Sequence, residues 1–245
     1  MKQAVGVIGG VGPMATVYYM QRVIEMTKAG CDQEHINMLV FNDCDIPDRT
    51  AFITEKSPDN PLPVMVEDAK RLEAAGCEFV VIPCNTAHYF YDELEQAVEI
   101  PVVNIVEETI RYAKARVQDL SCVGIMATTG TIVTGTYQKY AERAGLSFAV
   151  PDEDEQDLLM QIIYDGVKAG KPVPRADFDR VANHLRAKGA KCLILGCTEL
   201  SVLKRDLPIN DPDVLDSIDV LASETVRRSG KPFTDECLLC KRSYL

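Results

Sequence analysis

The chain has 245 residues, 47% of them hydrophobic and 26% charged, and carries a formal net charge of −11. That apolar content excludes a disordered chain and allows a sizeable core, in one large domain or two small ones. The negative charge argues against nucleic acid and anionic membranes as partners, since both are polyanions, and no run reaches the ~18 apolar residues of a membrane span. A small acidic substrate meets the same field and needs a local basic pocket. The opening stretch MKQAVGVIGGVGPMAT is interrupted by Gly and Pro and has no A-x-A-like cleavage site, so a cytoplasmic protein is expected. Nine cysteines, an odd number, are then expected to be reduced thiols, most of them in the core.

In chain order, short apolar runs alternate with helical stretches: AVGVIG, MATVYYMQRVIEM, INMLVF, MVEDAKRLEAAG and FVVIPC in the first part. PVVNI, SCVGIMA, a helix around Tyr137 to Ala144 and KCLILGC follow. Nearly continuous apolar strands between helices predict parallel sheets covered on both faces. SPDNPLP, from Ser57 to Pro63, reads as a surface loop, and the acidic run from Asp152 as a solvated helix start.

The chain also repeats itself. AKRLEAAGCEFVVIPCNT from Ala69 aligns with ANHLRAKGAKCLILGCT from Ala182, pairing Leu72 with Leu185, Gly76 with Gly189 and Cys84 with Cys197 at one offset. VGVIGGVG from Val5 likewise matches VGIMATTG from Val123. Periodicity alone explains repeated Leu and Ala, but not a cysteine at the same strand end. The expected architecture is two similar α/β domains related by a pseudo-twofold axis, with the site in the cleft between them. Residues 1–104 plus 209–245 form the first, with Cys84, and residues 105–208 the second, with Cys197.

In parallel α/β sheets, ligands bind beyond the carboxyl ends of the strands, where both cysteines stand. Each precedes a helix start, whose unpaired N–H groups favour negative charge and are expected to lower the thiol pKa. Two thiols entering one cleft from opposite sides suit stereoinversion: one removes an α-proton while the other delivers a proton to the opposite face. Cys77 and Cys192 read as core.

Several motifs together resemble the aspartate/glutamate racemase family, and specifically its aspartate racemase branch. They are GGVGPMAT (Gly9 to Thr16), DIPDRT (Asp45 to Thr50), PCNTAH (Pro83 to His88), ATTGT (Ala127 to Thr131), YDGVKAG (Tyr164 to Gly170) and GCTEL (Gly196 to Leu200). The resemblance implies racemisation without pyridoxal phosphate or any other cofactor, with Cys84 and Cys197 as acid and base, in a homodimer. It puts the substrate carboxylates on Arg49 and Lys168. Asn85, Thr86, Thr129, Thr131, Thr198 and Gly10 complete the implied substrate site, and no metal is implied. The glutamate racemase branch carries a DSG-type turn near its N-terminus and a His after the second Cys-Thr pair. Here Gly9-Gly10-Val11-Gly12 and Glu199 stand in those places, which favours aspartate or a broader substrate range.

Other readings stay open at this point. Gly10-Val11-Gly12-Pro13-Met14-Ala15 satisfies G-x-G-x-x-A, the dinucleotide fingerprint, with Asp43 as a late ribose-binding acid. An NAD-dependent oxidoreductase would use it, although it gives no reason for duplicated cysteines. A non-catalytic binder of small anions is a second alternative, and a one-cysteine decarboxylase of the same superfamily a third. Cys237 and Cys240 look like half a zinc site without its partner ligands. His35, His88 and His184 show no ligand spacing, and His88 alone is close enough to Cys84 to tune it.

Overall fold

A computed structural model of the protein describes residues 4–235; Cys237 and Cys240 lie outside the described residues. The first half runs β1 (Ala4–Gly9), α1 (Pro13–Met26), β2 (Asn37–Asn42), α2 (Arg49–Ile53), α3 (Leu62–Ala74), β3 (Cys77–Val81) and α4 (Tyr91–Ala97). The second runs α5 (Ile105–Arg116), β4 (Cys122–Met126), α6 (Thr129–Val133), α7 (Thr136–Arg143), β5 (Ser147–Ala149), α8 (Glu153–Gln161), α9 (Arg175–Ala187), β6 (Cys192–Leu195), α10 (Thr198–Asp206), β7 (Val214–Asp216) and α11 (Ser217–Arg228).

Two parallel sheets form, ordered β2-β1-β3 and β5-β4-β6-β7. The strands aligned by the repeat occupy equivalent places, β1 and β4 at the centre with β3 and β6 beside them. Central β1 and β4 are buried at every residue, as continuous apolar runs covered on both faces require. Cys77 and Cys192 open β3 and β6 and are buried, as expected of core cysteines. Val102 adds a single parallel bridge to Val80 on the outer side of β3.

The division expected at residue 209 does not follow the sheets. Val214 to Asp216 pair with Leu193 to Leu195, so β7 extends the second sheet. The helix that follows packs back on α1 and α5, where Tyr19 Oη and Thr225 Oγ1 lie 2.7 Å apart in the core. One apolar cluster holds Val5 and Tyr19 from the first half together with Val123, Ile194 and Leu221 from the rest. The last described segment therefore ties the halves together.

Residues that follow β1, β2, β3, β4 and β6, among them Val11, Asp48, Cys84, Thr128 and Cys197, meet in one region. Pro13 opens α1, where a missing N–H costs nothing. Asp48 caps α2 by accepting from Ala51 N at 2.8 Å, and Thr128 caps α6. Cys197 itself stands at the N-cap of α10. Gly10 has φ +80°, and a Cβ there would lie 2.1 Å from the Asp43 carbonyl oxygen. Its freedom serves the close approach of the chain leaving β2.

Gly10→Ala and Gly76→Ala separate conformation from crowding. Both positions have positive φ, but a Cβ on Gly76 meets nothing within 4 Å. In urea unfolding, Gly76→Ala should cost about 1–2 kcal/mol for the left-handed backbone, and Gly10→Ala about 1–3 kcal/mol more for the overlap.

Candidate active site

Cys84 and Cys197 line one cavity, together with Arg49 and Lys168. Both cysteines are buried, at 6% and 4% exposure. The space between them is about 10 Å³, room for about one water molecule. The space is too narrow for an amino acid unless the walls part. An adjoining cavity of about 320 Å³ shares Asp48, Arg49, Lys168 and Glu199 with it and forms the approach from solvent.

On the Cys84 side, Arg49 begins α2 and is 8% exposed. Its Nη1 donates to Pro47 O at 2.9 Å, while Nε has no hydrogen-bond partner. Burial would lower its pKa, but the charges of Cys84 and Asp48 outweigh that and raise it. A buried, charged guanidinium with a donor to spare suits a carboxylate.

His88 turns away from the Cys84 thiol. Ile105 N donates to its Nε2 at 3.2 Å, which leaves Nδ1–H to donate to the Cys84 carbonyl at 2.8 Å. Nε2 also lies 3.3 Å from Val103 O, but a nitrogen that accepts a backbone N–H cannot donate there. Burial lowers the His88 pKa, so the ring stays neutral. It holds the strand end and does not tune the thiol directly.

Asn85 lines the cavity and also braces it: Tyr137 Oη donates to its Oδ1 at 2.7 Å and its Nδ2 donates to Ser217 Oγ at 3.0 Å. Thr86 Oγ1 lies 3.0 Å from Thr128 Oγ1 and 2.9 Å from Thr131 Oγ1. This hydroxyl cluster joins the two halves beside the thiols. Thr198 is buried in the cavity wall. Three expected residues stand outside this cavity's lining: Thr131 bonds to Thr86 but does not line the cavity, Thr129 accepts from Gln156 Nε2 at 3.3 Å, and Gly10 lines the adjoining cavity.

On the Cys197 side the expectation of a lowered thiol pKa is reversed. Cys197 Sγ donates to Glu199 Oε2 at 3.0 Å. Burial first, and then this carboxylate, push the thiol well above its ordinary range, against the opposing pull of Lys168. The helix N-terminus is outweighed by a full charge in direct contact.

Lys168 ends a π-helical turn, Ile162–Lys168, whose wider winding stacks residues four apart. Its Nζ sits 4.1 Å from the centre of the Tyr164 ring, 3.5 Å from Asp48 Oδ2 and 4.0 Å from Glu199 Oε1. Burial would lower its pKa; Glu199 foremost, with Tyr164, Cys197 and Asp48, raises it instead. Tyr164 Oη donates to Asp48 Oδ2 at 3.2 Å. Asp48, Tyr164 and Lys168 thus close the cavity mouth across the two halves. Asp48, Tyr164 and Thr128 were not predicted from sequence; the capping patterns at Asp48 and Thr128 and the spacing of Tyr164 from Lys168 were the available signals.

Away from this cavity, Asp152, Glu155 and His184 place potential ligand atoms within 4.8 Å of one another. Lys188 and Arg180 already pair with those two carboxylates.

The family model described as Asp/Glu/Hydantoin racemase matches residues 8–225. The chain belongs to that family. The "Broad specificity amino-acid racemase RacX" of Bacillus subtilis is 26% identical over 232 residues, 91% of this chain and 96% of that one. The glutamate racemase of Aquifex aeolicus is 29% identical over 172 residues, 68% of this chain and 63% of its own. Among solved structures, Picrophilus torridus aspartate racemase superposes with a TM-score of 0.78 at 26% identity, covering 97% of this chain and 98% of that one. Membership of the racemase family overturns the dinucleotide reading, and the structure supplies a physical reason. A Cβ on Gly12, at the start of α1, would lie 3.0 Å from Glu199 Oε1, so a carboxylate stands where a pyrophosphate would have to bind.

Asp48 gives the cavity mouth a pH signature. Burial would raise its pKa from 3.8, but the Ala51 N–H and the Lys168 charge outweigh it and hold it lower. A carboxyl depressed in the folded state stabilises above its unfolded pKa and loses that contribution as pH falls through its folded pKa. The thermal stability of Asp48→Asn should therefore trail the parent by a constant margin above about pH 5 and converge on it below about pH 4. Melting curves across the acid range check this.

Proposed function

We propose that this protein racemises an acidic amino acid, aspartate or glutamate or a somewhat broader set, without a cofactor. The observation that carries the proposal is the meeting of two buried thiols and two cations in one cavity. One thiolate takes the α-proton, and the other thiol delivers a proton to the opposite face of the resulting planar carbanion. In the reverse direction the two exchange roles. Arg49 and Lys168 hold the substrate carboxylates, with Lys168 released from Asp48 as one of them arrives. Asn85, Thr86 and Thr198 contact the substrate's polar groups, while Thr131, with Thr128, positions Thr86. The two similar halves, related by a pseudo-twofold axis, open to admit the substrate and close over it. The names of the relatives support this reading, the aspartate racemase through its fold over nearly the whole chain.

Reduced thiols are needed throughout, and a cytoplasmic location supplies them. Among the described residues, no helix is long and apolar enough to cross a membrane. The active unit is a homodimer, for which α1 offers exposed Val17 and Ile24 and β2 an open edge. In sedimentation analysis the parent should run as a dimer, and Val17→Asp with Ile24→Asp as a monomer; a monomeric parent rules the dimer out.

The mechanism is tested in deuterated water with no added pyridoxal phosphate. Early in turnover the product enantiomer should carry solvent deuterium while the remaining substrate stays largely protiated. A single base serving both faces would label both. Cys84→Ser and Cys197→Ser should each lower inversion by at least about a thousandfold, since a hydroxyl does not ionise near neutral pH, with substrate binding nearly retained. Binding by the parent without any α-proton exchange would make it an anion binder instead. Near-parent racemisation by Cys197→Ser would sink the paired-thiol mechanism.

A further inference from the structure

The two thiols are held by groups of opposite charge. Cys84 faces the Arg49 guanidinium, whereas Cys197 donates to the Glu199 carboxylate at 3.0 Å. Glu199 is 7% exposed. Its second oxygen points the other way, 4.0 Å from Lys168 Nζ and 3.0 Å from where a Cβ on Gly12 would stand. It also lines both the closed cavity and the 320 Å³ approach. One carboxylate therefore touches a reacting sulfur and reaches toward water.

We propose that Glu199 holds the proton on Cys197 in the free enzyme and carries protons between Cys197 and the water outside. The inference rests on the two-thiol reading above. With Cys197 a thiol, the resting site is poised for the enantiomer whose α-hydrogen faces Cys84. Turnover moves the α-proton to Cys84 and the Cys197 proton to the substrate, which leaves a new thiolate against the Glu199 carboxylate. Like charges in contact favour uptake of a proton. Glu199 takes one from water in the approach cavity and passes it to Cys197 Sγ, while Cys84 returns its own proton to water, so the net proton count is unchanged.

The other groups facing Cys197 do not replace Glu199 in this role. Lys168 favours the thiolate, opposing Glu199. Tyr137 and Tyr164 also face Cys197, but burial raises the pKa of both, so they stay neutral. Arg49 adds a positive charge near Glu199.

Alkylation reads the thiols directly, without turnover. Both line the same cavity and are similarly buried, while Cys31 and Cys44 are exposed and free and serve as internal references. Iodoacetamide labelling of the full-length protein, resolved by peptide mass spectrometry between about pH 6 and pH 10, gives a midpoint for each cysteine. In the parent protein Cys197 should label at least about tenfold more slowly than Cys84 at neutral pH, because the Glu199 carboxylate holds its proton. Glu199→Gln should speed labelling of Cys197 by about tenfold at mildly alkaline pH, with Cys84 and the references unmoved, and Glu199→Asp should restore most of the protection. Equal midpoints in the parent, or a Cys197 midpoint unmoved in Glu199→Gln, overturn the proposal. The parent comparison stands even if a variant fails to fold. Loss of the deuterium asymmetry would instead overturn the racemisation mechanism itself.

Discussion

Four charged side chains, Arg49, Lys168, Asp48 and Glu199, surround two buried thiols, and the rest of the site follows from keeping that set balanced. Burying an ion costs several kcal/mol, and an unpaired buried charge is not tolerated. The balance is reached within each half, through Lys168 with Glu199 and Arg49 with Asp48, and across them, since Asp48 belongs to the loop after β2 and Lys168 to the π-helical turn after α8. A pair of charges about 4 Å apart at an effective dielectric of 20 gains about 4 kcal/mol before solvent screening, comparable with the desolvation it offsets. On the function proposed above, a substrate carboxylate replaces Asp48 on Lys168 at little net cost.

The hydroxyl and amide contacts differ in kind. Thr86, Thr128 and Thr131 satisfy one another, and Asn85 is held by Tyr137 and Ser217. These groups are neutral, hydrogen-bonded to one another or to Tyr137 and Ser217, and buried, and they give the cavity wall its shape.

Much of this was legible in the sequence, and for physical reasons. Strands covered on both faces leave continuous apolar runs, and a repeated helix, glycine and strand leading to cysteine marks two equivalent places. Cys84 and Cys197 accordingly share one cavity with Arg49 and Lys168. Pairings between residues distant in sequence leave no such trace. Nothing periodic links Tyr164 to Asp48, or β7 to the second sheet and not to the first. In Thr128-Thr129 the choice of which hydroxyl faces the cavity depends on where α6 begins, a one-residue boundary that pattern does not resolve. At Cys197 the helix N-terminus was read correctly, but its partial charge is smaller than that of the carboxylate two residues on.

The opposed environments of the two thiols do not conflict with a reaction that treats two enantiomers alike. Enantiomers have equal free energy in water, so any catalyst of their interconversion has the same kcat/KM in both directions, however lopsided its site. Asymmetry at Arg49 and Glu199 can only divide that common value differently between kcat and KM for each enantiomer. A site with two identical neighbourhoods would leave two buried thiols with equal claims on one proton. On the proposal above, the carboxylate beside Cys197 decides which proton the free site keeps. The pair then departs from symmetry where symmetry has no value for the rate, in the resting site, and keeps it in the placement of the two sulfurs at equivalent strand ends.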